Sequence, residues 1–514
     1  MSAAGPAARR PQMAVLIAAA LLLVPALGLP PLFDADEGAF SEATREMLAG
    51  GDWWSTTLNG APRFDKPILI YWLQAASVAV LGLNEFALRL PSALAALAWI
   101  AAIGRFASGR GDAATGALAA WITATCIGVD VIAHAATADA LLNALLAASM
   151  FDAWRFVEDG NRGALRRMYA WIGLGVLTKG PIALLIPVAV TFLYALSSRR
   201  LREWRQAAFD PVGWLLLVAI IAPWYGYALH HHGRAFVEGF FVKHNLRRFS
   251  GTLEGHSGSL LFYVAFIPVL LLPWTGLMIP AVRAVRADWR VGLTRYLWLW
   301  FAFVLIFFSA SGTKLPHYAL YGLTPLAILM ALHRDELGSG RLARWAAALA
   351  LAVLPLAPWL AQRWAEGAAG GRSAYYAGLA QRALQAAPWS FYAITGSACA
   401  IGIAALVSAR GPGWQRLAIA AGALALSVEY AIAPWLGDVV SGPVKRAAQF
   451  VSARPETVVR WNLDVPSFSV YRQAITESRA PQPGELAITR ADRLPADAPV
   501  KVLFSEGGVL IVQR

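Results

Sequence analysis

The sequence has little charge and almost no cysteine. Only 15% of its 514 residues are charged, whereas 58% are hydrophobic, and the mean hydropathy is +0.52. A soluble protein of this length needs more polar surface, so the composition predicts an all-α polytopic membrane protein. The two cysteines, Cys126 and Cys399, both lie in apolar runs. They argue against a disulfide framework and exclude a zinc-type cysteine cluster.

The net charge of +13 resides largely in arginine clusters between the apolar runs. In a soluble protein such a charge would indicate nucleic-acid binding. Here it fits the positive-inside rule, in which arginine and lysine hold connecting loops in the cytoplasm. We therefore expect a cytoplasmic N-terminus and no nucleic-acid partner. The predicted inside loops then carry Arg105 and Arg110; Arg162, Arg166 and Arg167; Arg199, Arg200, Arg202 and Arg205; Arg283, Arg286 and Arg290; Arg334, Arg341 and Arg344; and Arg410 and Arg416.

Apolar runs near the ~20-residue length of a spanning helix recur along most of the chain. They predict about thirteen spans, at roughly 13–31, 86–107, 113–132, 136–157, 168–178, 180–198, 211–229, 259–281, 295–311, 318–333, 342–360, 389–408 and 415–434. The first run, Met13–Leu29, is long for a signal peptide and is interpreted as an uncleaved span. Ile68–Leu83 is interpreted as a juxtamembrane helix, because counting it as a span would place most arginine clusters outside.

The composition changes after about Pro434. We expect a transmembrane domain over residues 1–434, with a long first outer loop at 33–85, and a second domain over 435–514. In the second domain, short apolar runs at Thr457–Trp461, Val500–Phe504 and Val509–Val512 alternate with polar and proline-rich turns. Val444–Ala453 is its predicted helix. The tail is therefore predicted to be a small α/β domain outside the membrane.

The chain is interpreted as being organised around Phe33–Pro67, an acidic stretch that follows the first span. It contains Asp34, Asp36, Glu37, Glu42, Glu46, Asp52 and Asp65 against Arg45, Arg63 and Lys66. Phe40, Ala43 and Met47 fall on one helical face, which predicts an interfacial helix. Gly50-Gly51 is expected to end that helix.

Polar side chains that a membrane protein would otherwise avoid gather on the outer side of this topology. They are Asp36, Glu37, Asp65, Lys66, His134, Asp139, Lys179, Lys243, His244, Arg247, Arg248, His256, Lys314 and His317. Ionisable residues near spans are candidates for a functional site. Because these lie in separate loops on one side, they favour a shared polar cavity over isolated helix-end charges.

The basic residues of this set depart from the positive-inside pattern. One explanation is solvated loop charge, and another is pairing with lipid headgroups. The functional interpretation is a phosphate clamp, because arginine forks and lysine ammonium groups bind phosphate oxygens. Thr178-Lys179-Gly180-Pro181 places a lysine in a tight turn that opens a helix, where backbone N–H groups also favour anions.

Asp36 and Glu37 are the candidate catalytic base or orienting groups, although Asp34 or Asp36 could equally cap the following helix. The loop histidines His231, His232, His244 and His256 could ligate a metal with Asp65, but their spacing matches no standard site. A divalent metal therefore remains one candidate cofactor.

At these residues the chain resembles the GT-C glycosyltransferases of the protein mannosyltransferase and aminoarabinose (lipid A) transferase superfamily of bacteria. The matching motifs are Asp36-Glu37 with Arg45-Glu46-Met47-Leu48-Ala49-Gly50-Gly51-Asp52-Trp53 and Leu58-Asn59-Gly60; Phe64-Asp65-Lys66-Pro67 with Tyr71-Trp72; Asn84-Glu85-Phe86 with Arg89-Leu90-Pro91-Ser92; Leu177-Thr178-Lys179-Gly180-Pro181; His244-Asn245-Leu246-Arg247-Arg248-Phe249; His256 with Tyr263; and Lys314-Leu315-Pro316-His317-Tyr318. They occur in family order over about residues 10–330. The tail around Pro466-Ser467-Phe468-Ser469-Val470-Tyr471 is similar to the family's outer domain, more weakly.

The resemblance implies an inverting transfer of a sugar from a polyprenyl (undecaprenyl) phosphate carrier, on the periplasmic face of the bacterial inner membrane. The acceptor would be a lipid, glycan or protein. Asp36 matches the family's catalytic aspartate, and Lys66 matches the lysine that contacts the carrier phosphate. Asp65 stands where glutamate is more usual; in some relatives that acid and a loop histidine, here His256, hold a metal.

The remaining site candidates are Lys179, Arg247, Arg248 and Lys314 for the phosphate, with Asp139, His134, His244, His317 and Tyr318 in the same cavity. One departure stands out. The family's D-E-A-R-Y motif reads Asp36-Glu37-Gly38-Ala39-Phe40 here, without the Arg and the Tyr. Aminoarabinose transfer to lipid A is therefore one candidate reaction rather than the expected one. A transporter or flippase of a lipid-linked sugar is the alternative, although no half-to-half repeat is visible. A membrane scaffold whose tail does the work is a third possibility.

Overall fold

The computed structural model describes residues 6–247, 251, 258–337, 341–369, 373–408, 410–495 and 497–514. Helices α1 to α11 are Pro6–Leu23, Asp36–Gly50, Leu69–Leu81, Glu85–Ser108, Ala113–Thr125, Ile127–Ala133, Asp139–Asp159, Arg162–Lys179, Ile182–Ser197, Leu201–Ala208 and Pro211–Phe236. Later helices are Phe262–Leu270, Thr275–Asp288, Gly292–Ala310, Leu323–Leu332, Arg341–Val353, Ala357–Ala369, Ala374–Gln385, Trp389–Val407, Gly413–Ser427, Ala433–Val440, Gly442–Ser452 and Pro466–Arg472. Short 3-10 helices lie at Pro25–Gly28, Pro316–Gly322, Arg334–Leu337 and Leu354–Leu356, and π-helices at Val237–Arg247 and Val428–Ile432.

The chain is a polytopic helical membrane protein. Among the described residues, eight helices are long and apolar enough to cross a membrane, or nine if the bent pair α5–α6 counts as one span. The predicted span at 259–281 is divided into two shorter helices, and that at 342–360 is interrupted by a 3-10 turn at Leu354–Leu356. Helix α3 has 13 residues. At 1.5 Å per residue it is about 20 Å long, less than a ~30 Å hydrocarbon core.

Side-chain caps fix where several helices begin. Asn84, Asp112, Asn161 and Asp210 each accept a hydrogen bond from a backbone N–H three residues later, at 2.7–3.0 Å. These bonds satisfy otherwise orphaned donors and stabilise each helix by about 1 kcal/mol. Three of the four caps begin α4, α5 and α8, where polar residues interrupt the apolar runs, so the sequence sets these boundaries locally.

The acidic stretch after the first span contains the predicted helix. Helix α2 begins at Asp36 and ends at Gly50, and Gly51 takes a left-handed conformation with φ 70°. Phe40, Ala43 and Met47 are buried against α3 and α11 in one apolar cluster. The helix and its glycine stop are thus confirmed. The expected exposed polar face is not found, because Glu42 and Glu46 are buried as well.

A β-hairpin follows α2. Strands β1, Thr57–Leu58, and β2, Ala61–Pro62, pair antiparallel across Asn59-Gly60. Both turn residues have positive φ, as a two-residue hairpin of matching twist requires.

The outer segment expected at 230–258 is largely helical where it is described. Helix α11 runs to Phe236, and a π-helix continues from Val237 to Arg247. Phe236 and Phe240 stack at 5.5 Å and are buried, which holds this segment on the bundle. The segment 361–388 likewise contains helices rather than an extended loop.

The tail forms a four-stranded sheet. Its strands β3 to β6 are Val458–Arg460, Leu486–Arg490, Lys501–Glu506 and Val509–Gln513, in the spatial order β3-β4-β6-β5. Strand β3 is parallel to β4, whereas β4–β6 and β5–β6 are antiparallel. Helix Gly442–Ser452 packs on the sheet and contributes Val444, Ala447, Ala448 and Val451 to its core. The prediction of a small α/β tail is confirmed, although β4 was not expected.

Candidate functional site

Helix α2 presents two neighbouring carboxylates in opposite environments. Asp36 is exposed at the first helical position, whereas Glu37 is buried. Among the described residues, no hydrogen bond or ion pair holds the Asp36 carboxylate. Its oxygens therefore face the exterior of the helix and remain available to a substrate.

Glu37 is fully occupied by protein donors. Arg89 donates to it through Nε at 2.6 Å and Nη2 at 2.9 Å, and the backbone N–H groups of Phe33 and Ala136 donate at 2.8 and 2.9 Å. A two-pronged guanidinium–carboxylate pair with both groups buried is strong and directional. This geometry assigns Glu37 a positioning role for the start of α2 rather than contact with substrate.

Arg89 extends that network to the end of the first span. Besides Glu37, it donates to the carbonyls of Leu27, Pro30 and Pro31 at 2.6–2.9 Å. Arg89 belongs to one of the family motifs, but the sequence alone did not predict a role for it. A lone arginine inside an apolar helix was the signal, because such a charge needs a buried partner.

A second group of ionisable residues lies where α7 begins and α8 ends. Lys179 forms an ion pair with Asp139, and Tyr321 donates a hydrogen bond to Asp139 at 3.4 Å. His317 Nε2 lies 3.7 Å from Asp139. The Lys179 ammonium also lies 5.6 Å from the ring centres of Tyr318 and Tyr321, within cation–π range. Tyr321 was not among the predicted site residues.

Asp36 and Lys66 adjoin this second group. The charges of both act on His317, and that of Lys66 also acts on Asp139. Lys66 is half-buried and donates to the Asp65 carbonyl at 3.2 Å. Five charged or titratable residues, each from a different helix or loop, thus share one region, the lysine cluster: Asp36, Lys66, Asp139, Lys179 and His317.

Asp65 lies beside the lysine cluster with partners of its own. His244 Nε2 lies 2.8 Å from its carboxylate, and Arg63 Nε lies 3.4 Å away. Burial acts to raise the pKa of Asp65, but the His244 hydrogen bond and the Arg63 charge outweigh it. The pKa is therefore well below its ordinary value, and the group is ionised at neutral pH.

The metal predicted at Asp65 would need more ligands than this pair. His244 is the histidine that the structure places there, and His256 lies outside the described residues. One carboxylate and one imidazole fit a divalent ion in kind, but a zinc site needs about four ligands.

Three other predicted residues, His134, Lys314 and Arg247, are placed differently. His134 contacts Leu23, Asp130 and Glu429 rather than a member of the lysine cluster. Lys314 is buried and donates to the carbonyls of Ser309 and Ser311 at 2.9 and 2.6 Å, which gives its ammonium a helix-capping role. Arg247 is exposed at the end of the π-helix, and Arg248 lies outside the described residues.

The tail helix, Pro466–Arg472, packs directly on the start of α2. Ser467 donates to Asp34 through its backbone N–H at 2.9 Å and also through its hydroxyl. A Cβ on Gly38 would lie 2.6 Å from the Ser467 nitrogen, so only glycine fits this approach. The tail therefore helps to fix the helix that carries Asp36, which no local sequence signal indicated.

A separate apolar cavity of about 330 Å³ lies among α7 to α11. It is lined by side chains such as Phe156, Met168, Ile172 and Trp204, and it contains no residue of the lysine cluster. The chemistry-bearing groups and this cavity thus occupy different parts of the bundle.

Sequence comparison finds a family of known enzymes. Residues 65–227 match the family model described as dolichyl-phosphate-mannose-protein mannosyltransferase. A relative from Shewanella sediminis, named undecaprenyl phosphate-alpha-4-amino-4-deoxy-L-arabinose arabinosyl transferase, is 32% identical over 326 residues, which is 60% of this chain and 57% of the relative. The enzyme of that name from Pseudomonas paraeruginosa is 32% identical over 66% of this chain and 64% of its own length. The chain thus covers less than two thirds of these relatives.

The fold matches a solved structure over nearly the whole chain. ArnT from Cupriavidus metallidurans bound to undecaprenyl phosphate superposes with a TM-score of 0.80, at 20% identity, over 97% of both chains. The apo structure of the same protein gives the same TM-score at 21% identity. The two proteins therefore share one fold over nearly their whole length.

Proposed function

Because this chain has the GT-C glycosyltransferase fold, we propose that it transfers a sugar from a polyprenyl phosphate carrier to an acceptor beside the membrane. The observation that carries the proposal is the lysine cluster. Two lysines, a histidine and the Asp139 carboxylate, from distant segments, converge beside the exposed Asp36. The region thus combines cations that can bind a phosphate with a carboxylate that can act on an acceptor.

Lys66 and Lys179 hold the carrier phosphate. As the bond between sugar and phosphate breaks, negative charge grows on the leaving phosphate, and fixed cations stabilise that charge. Asp139 anchors the Lys179 ammonium, so the cation is positioned before the carrier arrives. Arg247, Arg248 and Lys314 remain further candidates for the phosphate. Lys314 would first have to release its two backbone carbonyls.

Asp36 acts on the acceptor. A hydroxyl acceptor gives its proton to the Asp36 carboxylate while attacking the sugar from the face opposite the phosphate, which inverts the anomeric centre. If the acceptor is itself a phosphate, it is already ionised and Asp36 only orients it. Glu37 and Arg89 hold the start of α2, and the tail helix supports it from the other side.

The relatives' names suggest undecaprenyl phosphate as the carrier and aminoarabinose as one candidate sugar. The chain departs from the family motif at Ala39 and Phe40, which stand where the family has Arg and Tyr, and this departure argues against taking aminoarabinose transfer to lipid A as the expected reaction. Lipid A is one candidate acceptor, and a glycan or protein acceptor stays open. A divalent metal at Asp65 and His244 is a further candidate cofactor.

We place the protein in the bacterial inner membrane with its N-terminus in the cytoplasm and its tail domain in the periplasm. The alternation of arginine-rich loops along the chain supports this orientation. The fold match to a glycosyltransferase of known structure argues against the transporter alternative.

The test combines carrier binding and transfer. Full-length protein in native lipid is compared with Lys66→Ala and with Lys501→Ala, an exposed lysine on β5 that serves as the matched control. Wild type and the control should bind undecaprenyl phosphate, and the Lys66 variant should not. Transfer of radiolabelled sugar from a polyprenyl carrier should follow the same order. Equal binding by all three would place the phosphate elsewhere, and a wild type with neither activity would overturn the proposal.

A further inference from the structure

A second cluster of ionisable groups lies outside the lysine cluster and has no part in the proposed reaction. Asp130 and His134 belong to the end of the bent helix pair α5–α6, and Glu429 lies in the π-helix Val428–Ile432. One possible ligand atom from each residue lies within 4.8 Å of the other two. We call this the buried acid–histidine cluster.

The imidazole is oriented as a metal ligand would be. His134 Nδ1 lies 3.1 Å from the Asp130 carbonyl, and its Nε2 lies 2.5 Å from Glu429 and 2.8 Å from the Leu23 carbonyl. Histidines that bind metals commonly donate their second ring N–H to a backbone carbonyl, which fixes the tautomer and aims the other nitrogen at the ion. Here that bond would leave the Nε2 lone pair directed towards Glu429 and Leu23.

No lysine or arginine among the described residues neutralises the two buried carboxylates. Asp130 and Glu429 are 5% and 2% exposed and interact directly with each other. One oxygen of each, Asp130 Oδ1 and Glu429 Oε1, is buried without a hydrogen-bond donor among the described residues. No lysine or arginine forms an ion pair with either acid in the described part of the chain. Two buried acids that share a single histidine are costly unless a cation or a shared proton neutralises them.

Two backbone irregularities, a helix bend and a π-helix, lie at the buried acid–histidine cluster. The helix pair bends by 63° at the break between Thr125 and Ile127, and a π-helix carries Glu429. Single-turn π segments in α-helices are frequent at functional sites. Both irregularities bring an acid into the contact with His134.

We propose that Asp130, His134 and Glu429 bind a divalent transition-metal ion of the zinc class, with the Leu23 carbonyl as a fourth ligand. One imidazole and two carboxylates suit zinc at bond lengths of about 2.0–2.2 Å. Tetrahedral ligands at those lengths lie about 3.3–3.5 Å apart. The Nε2 contacts to Glu429 at 2.5 Å and to the Leu23 carbonyl at 2.8 Å would have to lengthen to this separation, and the Asp130 carboxylate, now 3.9 Å from Nδ1, would have to turn towards Nε2.

The ion would stabilise the wall of the candidate active site. It would join the end of α1, the α6–α7 connection and a late helix. Two residues beyond His134, the Ala136 N–H donates to Glu37 at 2.9 Å. The metal would thus help to fix the network that holds the start of α2, without touching substrate.

The test measures zinc in the purified full-length protein, before and after treatment with a chelator. Wild type is compared with His134→Gln and Glu429→Gln. The matched control is His333→Gln, because His333 also contacts two acids, Asp288 at 3.1 Å and Glu336 at 2.7 Å, but the possible ligand atoms of these three residues do not all lie within 4.8 Å of one another. A zinc ion at Asp65 would be present in all four proteins and would cancel.

We expect wild type and the His333 variant to hold one zinc equivalent more than the other two. Adding Zn²⁺ to chelator-treated wild type should raise Tm by several degrees, and adding it to the Glu429 variant should not. If the His134 variant fails to fold, the Glu429 variant decides the question. Equal zinc contents in all four proteins, or no response of Tm to Zn²⁺ in wild type, would overturn the proposal in favour of a proton shared between the two acids.

Discussion

Single substitutions of the neighbouring residues Asp36 and Glu37 should have different effects, one on transfer activity and the other on stability. Asp36→Asn removes an exposed carboxylate that no donor among the described residues holds, so the free energy of unfolding should change by less than about 0.5 kcal/mol. Transfer should be lost, because the acceptor then lacks its base or orienting group. The assay is transfer of radiolabelled sugar in detergent alongside an unfolding curve followed by tryptophan fluorescence.

Glu37→Gln should instead lower the stability of the protein. The variant leaves the Arg89 guanidinium buried without its anionic partner and weakens two further backbone hydrogen bonds. Removing one member of a buried ion pair costs about 3–5 kcal/mol. The midpoint of unfolding should therefore fall clearly, and any loss of transfer should follow the loss of folded protein.

A double variant supplies the internal control. Replacing Glu37 and Arg89 together with Met removes both buried charges, so it should be less destabilising than the sum of the single Met substitutions. The reasoning would be refuted if Glu37→Gln unfolded like wild type and yet lost transfer as completely as Asp36→Asn. Glu37 would then act on the substrate, and the Arg89 pair would not be its main role.

Three further predictions concern the lysine cluster and the tail. Asp139→Asn removes the charge that anchors Lys179 and should lower the initial rate of transfer about 10- to 150-fold, the equivalent of about 1.5–3 kcal/mol for a charge-assisted hydrogen bond. Gly38→Ala should force the tail helix away, cost about 1–3 kcal/mol and expose that helix to protease, whereas wild-type protection would contradict the packing argument. Burial raises the pKa of Asp34 from 3.8 to about 7 against the opposing hydrogen bonds from the tail helix. The folded state therefore binds the Asp34 proton more tightly than the unfolded state does. The stability gained from this proton should be full below about pH 4 and decline up to about pH 7. A pH series of Tm should show this decline in wild type and not in Asp34→Asn.

Much of the local structure followed from the sequence by itself. The apolar runs and low charge fixed the membrane class, because no soluble fold can bury so much apolar surface. Gly50-Gly51 ended α2 and Asn59-Gly60 made the hairpin, since both depend on backbone conformations that neighbouring residues set. The hairpin was not predicted, whereas the tail strands β3, β5 and β6 were. Strand β4 was missed because Leu486–Arg490 lies between turn-rich segments.

The candidate site was only partly predictable. The residues of the lysine cluster were all among the predicted candidates, since motif and side-chain type pointed to each of them. Their roles relative to one another were not readable, because Asp36 and Glu37 are adjacent in sequence and equivalent in chemistry. Only the packing of Arg89, 52 residues away, distinguishes the exposed acid from the buried one.

Tertiary structure alone decided which distant groups meet. His134 was expected with Asp139, but it pairs with Glu429, 295 positions further along the chain. Ser467 reaches Asp34 across 433 positions, so the tail supports a helix near the other end of the chain. Hydropathy and periodicity describe how one segment faces lipid or protein, and they carry no information about its partner. Burial makes those partnerships matter, because a charged or polar group removed from water must find its complement wherever the fold provides it.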